Sequence, residues 1–492
     1  MTTPAADPHS GTILLCADHG LALVNFLQTD VVPTLQKAGA RIVLLTDDGI
    51  VERVRQRFSH LGLTVEGLRL EEVRAYERTS YDMQWWLGFL RRVGGSRRIN
   101  TRAMDSYVEQ VMVEVSPRQV PALPLALAAR FLLRRSARAR AALLRAQLRF
   151  TPGIYGDLLD RHRPSLVVAS TPGWRQDRYL LREAAAGGLK TASVVVGWDN
   201  PSSYSLPGAP VENIVCWSDI QKEELVLGSD WDPKRVHIGG IPIYDGYLRN
   251  EWALSREEYF RLHRLDPQRK LLSYACSFVS FSPNYQNVKA LADLVASDRL
   301  GIPCQLVVRL HPNHFWDNWL FADERERIFR LARELPHVHV VEPVPIGGEL
   351  GHYSGEDVAE KASMMAHADV FLTVYSTMVV EAAIHDRPIV SVCIDAPRGW
   401  GYTRRFYLRK YSLALSRIGD WPTHDRFRRS GAGRVVFDRR QLAEAVEAYL
   451  RNPATDRAAR RSFVEREITF TDGSAGTRTA NALLSLMNGR RP

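Results

Sequence analysis

Along the chain, hydrophobic and polar positions repeat one arrangement: a short run of β-branched and other apolar residues, a turn, then a segment with helical spacing. Strands are predicted at Thr12–Ala17, Arg41–Thr46, Leu166–Ser170, Ala192–Val196 and Asn213–Trp217, with a short one at Val236–Ile238. A second series follows at Leu271–Cys276, Gln305–Leu310, Val338–Val341, Val370–Val374 and Ile389–Ile394. Apolar strands alternating with helices imply parallel sheets covered on both faces. The strands are too many for one small doubly wound sheet and too irregularly spaced for an eightfold barrel, so two sheets in tandem are expected. Gly239-Gly240-Ile241-Pro242 marks the break. The predicted domains are 1–245 and 266–465, joined by a linker at 246–265 and followed by a helical tail at 466–492 whose last helix can pack on either domain. The stretch 91–150 interrupts the alternation as a helical insertion.

Composition places this pattern in a folded protein rather than a disordered or fibrous one: 492 residues, 45% hydrophobic and 24% charged. Residues Met1 to Gly11 hold Asp7 and no Lys or Arg, which is not the pattern of a secretory leader. No apolar run approaches the ~18–20 residues that span a bilayer. A cytoplasmic location is the expectation. Cys16, Cys216, Cys276, Cys304 and Cys393 stand singly and read as reduced core residues.

Charge changes the picture in one place. Residues 91–150 hold thirteen arginines against Asp105, Glu109 and Glu114, which equals the whole net charge of +10. Arg130, Arg134, Arg138, Arg145 and Arg149 fall near one face of a predicted helix, with Leu125, Leu132, Leu133 and Leu143 mainly opposite. Two readings stand: a helix on an anionic membrane surface, or a solvated helix packed through its leucines. No nucleic-acid-binding module accompanies the charge, so no nucleic-acid partner is expected.

The chemistry-bearing segments are Arg309-Leu310-His311-Pro312 and Tyr375-Ser376-Thr377-Met378, with Glu381 after the second. Both follow strands, and open α/β sheets take ligands at the carboxyl ends of their strands. Small hydroxyls before the helical run Met378–His385 offer an anion site, to which Arg309 and His311 would add charge-assisted hydrogen bonds. The plainer alternative is that Ser376 or Thr377 caps a helix and Pro312 ends a strand.

These two segments, with Asp472-Gly473-Ser474-Ala475 and Arg478, resemble GT-B transferases of bacterial surface polymers, notably CDP-glycerol glycerophosphotransferases and the Kdo and sialyl transferases. Ile13 to Gly39 and Gly197-Trp198-Asp199-Asn200-Pro201 look like a branch of surface-carbohydrate biosynthesis proteins. The resemblance implies two Rossmann-like, doubly wound domains with a cleft between them, the donor on the C-terminal domain and the acceptor on the N-terminal one. It implies that Arg309 and His311 contact donor phosphates, that Ser376 and Thr377 hold the phosphate nearest the nucleoside, and that Glu381 meets the ribose. It tilts the donor towards CDP or CMP, though beyond Glu381 it names no residue that reads the base.

In the N-terminal domain the first strand ends in Ala17-Asp18-His19-Gly20. His19 is the first choice for a general base on the acceptor, because an imidazole titrates near neutrality, with Asp18 orienting it or acting itself. The alternative is that Asp18 caps the next helix. Asp199 is a second candidate, whose alternative is a turn. Ser277, with Ser280, Ser282 and Asn284, would line the donor from a loop or be an ordinary polar loop. Asp47-Asp48-Gly49 reads as a turn, and His311 with His314 lacks the zinc-protease pattern, so no metal site and no cofactor are expected.

The combined expectation is a metal-independent α/β transferase of GT-B architecture. It would move a sugar or polyol phosphate from a nucleotide-activated donor to a surface-polysaccharide or lipid-linked acceptor, in the cytoplasm or on the inner face of the membrane. The alternatives are a non-hydrolysing nucleotide-sugar epimerase and an inactive nucleotide-binding scaffold of a polysaccharide assembly complex.

Overall fold

The computed structural model describes residues 11–277, 284–317, 319–349, 353–395, 404–406, 409–411, 415–490 and 492. Its strands, in chain order, are β1 (Thr12–Cys16), β2 (Arg41–Thr46), β3 (Thr64–Gly67), β4 (Leu166–Ala169), β5 (Thr191–Val194), β6 (Asn213–Cys216) and β7 (Val236–Ile238). Then come β8 (Lys270–Ala275), β9 (Cys304–Arg309), β10 (Val338–Val341), β11 (Val370–Thr373), β12 (Ile389–Val392), β13 (Arg404–Phe406), β14 (Arg409–Tyr411) and β15 (Arg434–Val436).

The first seven strands form one sheet in the order β3-β2-β1-β4-β5-β6-β7, and a second sheet runs β10-β9-β8-β11-β12-β15. Every pairing within both sheets is parallel. Central strands are buried on both faces: Ile13, Leu14 and Leu15 are fully inaccessible, as are Val167 and Val168 beside them. That double burial is why these segments read as unbroken apolar runs. Within the two large sheets, the strands that the pattern did not reveal, β3 and β15, are at sheet edges, with Glu66 and Arg434 half-buried, so selection for apolar residues is weaker there; β13 and β14 were not predicted either. The hairpin β13-β14 is separate and antiparallel.

The final helix, Ala475–Met487, packs on the N-terminal domain, where Ala480 and Leu483 join Val31, Val32 and Leu35 in one core. Asp245 fixes its start by accepting from the Ala475 and Gly476 amides at 3.0 and 2.7 Å. Arg478 returns to Asp472 at 2.8 Å, so the Asp472–Ala475 segment serves here to close the chain onto the first domain.

The arginine-rich insertion corrects the expected single amphipathic phase. Two helices, Leu123–Leu133 and Ala137–Gln147, meet at Ser136, whose side chain caps the second by accepting from the Ala139 amide. The cap resets the helical phase. Leu133 and Leu143 are buried, but Leu125 and Leu132 are 74% and 58% exposed, with Phe131 beside them. Arg130 and Arg134 turn inward to Asp105, and buried Arg140 pairs with Asp230. Arg138, Arg145 and Arg149 face solvent. All five cysteines are buried and unbonded to one another.

Candidate functional site

In the first sheet the strand order reverses between β1 and β4; in the second it reverses between β8 and β11. At such a switch point the connections leave in opposite directions and open a crevice at the carboxyl ends of the strands. The backbones of the two domains meet here: a Cβ on Gly20 would lie 1.8 Å from the Tyr353 carbonyl oxygen, so only glycine permits the approach. Two cavities of ≈ 610 and ≈ 280 Å³ lie along the junction and share His311, Asn313, Ser376 and Thr377.

At the first switch point, Asp18 is 1% exposed and its Oδ1 lies 2.7 Å from His19 Nδ1. Ser170, at the end of β4, donates its hydroxyl to the same oxygen at 2.9 Å. Burial pulls the Asp18 carboxyl upward, but the hydrogen bond and charge of His19, with Arg175 and Ser170, hold it below its ordinary value. An ionised Asp18 only accepts, so His19 Nδ1 carries the ring proton and Nε2 presents its lone pair. Burial, then the charge of Arg175, lower the His19 pKa, which keeps the imidazole neutral near pH 7. Asp177 is fully buried next to this pair; burial and the Asp18 charge hold it well above the usual carboxylate range. The charge of Asp18 thus makes Asp177 the more readily protonated carboxyl of the two.

At the second switch point, β11 runs into Tyr375, a non-glycine residue at φ 37°, in the left-handed region. This strained turn sets Ser376 and Thr377 at the mouth of both cavities. Thr377 makes no capping bond with its side chain, while Ser376 Oγ accepts from the Met378 amide at 3.3 Å. The following helix, Met378–Ile384, has only seven residues, so what this turn offers to the cavities is its two hydroxyls rather than a helix dipole. His311 caps the turn Pro312–Phe315: the Asn313 amide donates to its Nδ1 at 3.1 Å. That bond fixes the neutral ring's proton at Nε2, the opposite tautomer to His19.

The remaining predicted residues fall as follows. Asp199 and Ser277 line the larger cavity, Asp199 as the residue preceding helix Asn200–Tyr204. Ser277 is held by Asn284, which accepts from its amide and donates to its carbonyl. Ser280 and Ser282 lie outside the described residues. Glu381 lines the smaller cavity and pairs with Lys361 at 2.7 Å. Burial lowers the Lys361 pKa, but Glu381 and Tyr353 more than restore it. Arg309 lines the same cavity, yet its expected open fork is occupied, one arm by Asp357 and the other by Glu360. A 5% exposed guanidinium demands such counter-charges, and they leave it a wall of the cavity rather than a vacant phosphate clamp. Asp18 and His19 border neither cavity directly; Arg175, which acts on both by charge, lines the larger one. Asp47 and Asp48 form the predicted turn, accepting from the amides of Gly49 and of Arg69 and Leu70.

Arg175, Asp177, Lys361, Tyr353 and His424 were missed from the sequence. The polar loop Ser170–Asp177 after β4 was the available signal for the first two. Lys361 sits singly in helix Val358–Ala366, and His424, driven down to about 3 by burial and Arg426, gave none. The hydroxyls of Tyr244 and Tyr353 border the smaller cavity without a hydrogen-bond partner among the described residues.

No protein-family model matches this chain, and no curated protein sequence matches it significantly. Solved structures do. A UDP-GlcNAc 2-epimerase from Neisseria meningitidis, bound to UDP-GlcNAc, superposes with TM-score 0.55 at 11% identity over 96% of this chain and 100% of that one. The S. aureus MnaA–UDP co-structure gives 0.52 at 11% over 98% and 99%. A glycosyltransferase from Rickettsia africae ESF-5 gives 0.51 at 8% over 97% and 98%. The likeness is one of fold and singles out neither CDP-glycerol nor Kdo and sialyl transferases. With two open parallel sheets whose switch points face one cleft, the chain has the GT-B architecture.

Proposed function

We propose that this protein is a nucleotide-sugar-using enzyme of transferase type, moving a sugar or polyol phosphate from a nucleotide-activated donor to a surface-polysaccharide or lipid-linked acceptor without a metal. The observation that carries the proposal is the opposed pair of tautomers: His19, at the carboxyl end of β1, with its lone pair at Nε2, and His311, at the carboxyl end of β9, with its proton at Nε2. His19 removes the proton of the acceptor hydroxyl while its oxygen bonds to the transferred group. The bond to the donor phosphate breaks, and its electron pair passes to phosphate oxygens held by His311, Ser376 and Thr377. Asp18 keeps His19 in the productive tautomer and stabilises the imidazolium. Glu381, Ser277 and the unpartnered tyrosine hydroxyls serve donor binding, Asp199 faces the transferred group, and Arg309 shapes the wall.

The test is thermal unfolding of the purified protein with CMP, CDP, UMP, UDP and GDP, since a ligand of the native state stabilises it by mass action, about 2.7 kcal/mol at a hundredfold excess over Kd. We expect a shift with one base that disappears in the Ser376→Ala/Thr377→Ala variant. Folded protein that responds to no nucleotide would overturn the assignment, and the nucleotide-binding scaffold with it. An epimerase is the second reading, favoured by the fold match to the UDP-GlcNAc-bound enzyme; it would convert its nucleotide sugar with no acceptor present.

The exposed Leu125, Phe131 and Leu132, flanked by exposed Arg135 and Arg138, support a peripheral site on an anionic membrane. Changing the three apolar residues to serine should abolish co-sedimentation with phosphatidylserine vesicles; unchanged sedimentation would remove the membrane from the scheme.

A further inference from the structure

A third cavity, ≈ 310 Å³, lies beside helix Tyr81–Val93 in the N-terminal domain and adjoins the ≈ 610 Å³ cleft cavity at Arg92 and Tyr204, which border both. Its wall holds Arg91, Arg92, Arg178 and Arg182 against one carboxylate, Glu77. Arg178 takes Glu77 as its partner. Among the described residues, Arg91 donates only to the carbonyls of Trp174, Tyr204 and Leu206, and Arg182 only to those of Phe150 and Gly208. Arg92 lies with its guanidinium carbon 3.7 Å from the Tyr107 ring centroid and 5.0 Å from that of Tyr204, with a buried Nε that has no partner. Among the described residues, none of these three arginines meets a carboxylate.

Such crowding is costly without an anion. Burial and the neighbouring arginines lower Arg91 to about 9, and burial with Arg178 lowers Arg182 to about 10. The same wall carries neutral polar groups with nothing to bond: Trp174 Nε1 and Gln147 Nε2, on residues 4% and 3% exposed. Aromatic rings complete it, with Trp85 stacked on Phe89 and Trp174 on Tyr204. Flat rings pack against the apolar face of a sugar, unpartnered polar groups match its hydroxyls, and arginine forks match a carboxylate or phosphate.

We propose that this pocket binds an anionic saccharide, a sugar bearing a carboxylate or phosphate, and presents it to the cleft as the acceptor. Its role as acceptor rests on the transferase proposal; the binding itself does not. A free acid group on the sugar and a lipid-linked phosphate share this chemistry, and the probes below separate them.

The experiment titrates intrinsic tryptophan fluorescence of the full chain, which Trp85 and Trp174 report, with a glucuronate-containing tetrasaccharide, glucose 6-phosphate, maltotetraose and inorganic phosphate. We expect the uronate or the sugar phosphate to bind at least tenfold tighter than neutral maltotetraose. Preference for the uronate indicates an acidic sugar; preference for glucose 6-phosphate indicates a phosphate-linked one. Arg182→Gln, at a residue that borders this pocket and not the cleft cavities, should weaken the preferred probe at least tenfold and Arg182→Lys less, while the thermal shift with nucleotide persists. Equal binding of maltotetraose, or inorganic phosphate binding as tightly as the sugar phosphate, would overturn the proposal, as would no saccharide binding in protein that still responds to nucleotide. Saccharide binding in protein that responds to no nucleotide would instead overturn the transferase and leave the pocket standing.

Discussion

At the carboxyl ends of β1 and β4 the chain collects titratable groups, Asp18, His19 and Asp177, with Arg175 beside them; at the ends of β8 and β11 it collects the hydroxyls of Ser376 and Thr377, with His311 arriving from the end of the neighbouring β9. The two sheets share a topology and a switch point, so the backbone gives each the same crevice. The difference lies in what holds the histidine. His19 faces a buried carboxylate and becomes an acceptor at Nε2; His311 faces a backbone amide and becomes a donor at Nε2. One fold, used twice, thus leaves a lone pair at Nε2 of one histidine and a proton at Nε2 of the other, which the proposed function reads as a base and an electrophilic cradle, because the partner of Nδ1 decides which end of an imidazole holds the proton.

The largest effect that would break this contrast is on the base. His19→Gln should reduce turnover by about 10²–10⁴-fold, the range for a positioned general base, with nucleotide binding retained. Turnover at the wild-type level would show that the N-terminal wall is not catalytic. Next comes the cradle: His311→Ala should cost about a hundredfold in kcat, as for loss of one donor to a developing oxyanion. If kcat stays and only KM rises, His311 binds the donor without stabilising the transition state.

The smallest effect sharpens the contrast. Arg175 lowers the His19 pKa, so Arg175→Gln should raise it, and the ascending limb of kcat/KM should move to higher pH. The sign follows because the neutral imidazole is the active form and a lost positive charge makes protonation easier. A limb that stays in place, or that moves to lower pH, would mean that another group sets it. The His311→Ala variant should leave the limb where it is.

Much of the second wall was legible in the sequence, because its residues are close in the chain: Ser376, Thr377 and Glu381 follow one strand, and Arg309 and His311 another. What the sequence misjudged there was Arg309, whose fork is filled by Asp357 and Glu360 from a helix and its approach some fifty positions on. The first wall was half legible. Asp18 and His19 stand out at a strand end, whereas Arg175 and Asp177 belong to a polar loop that gains meaning only once β4 lies against β1. The arginine-rich stretch shows the same divide: its charge was countable, but the phase change at the Ser136 cap and the pull of Asp105 turned Arg130 and Arg134 inward while Leu125 and Leu132 stand exposed.

By itself the sequence determined the two parallel sheets, since strands buried on both faces must be apolar along their whole length and helices between them must repeat every 3.6 residues. It also marked the strand ends whose polar residues the fold gathers at the two switch points. Only the tertiary structure decided which charges remain available and which nitrogen of each histidine keeps its lone pair. A buried ion takes its partner from whatever the fold brings within a few ångströms, and that distance in space has no counterpart in distance along the chain.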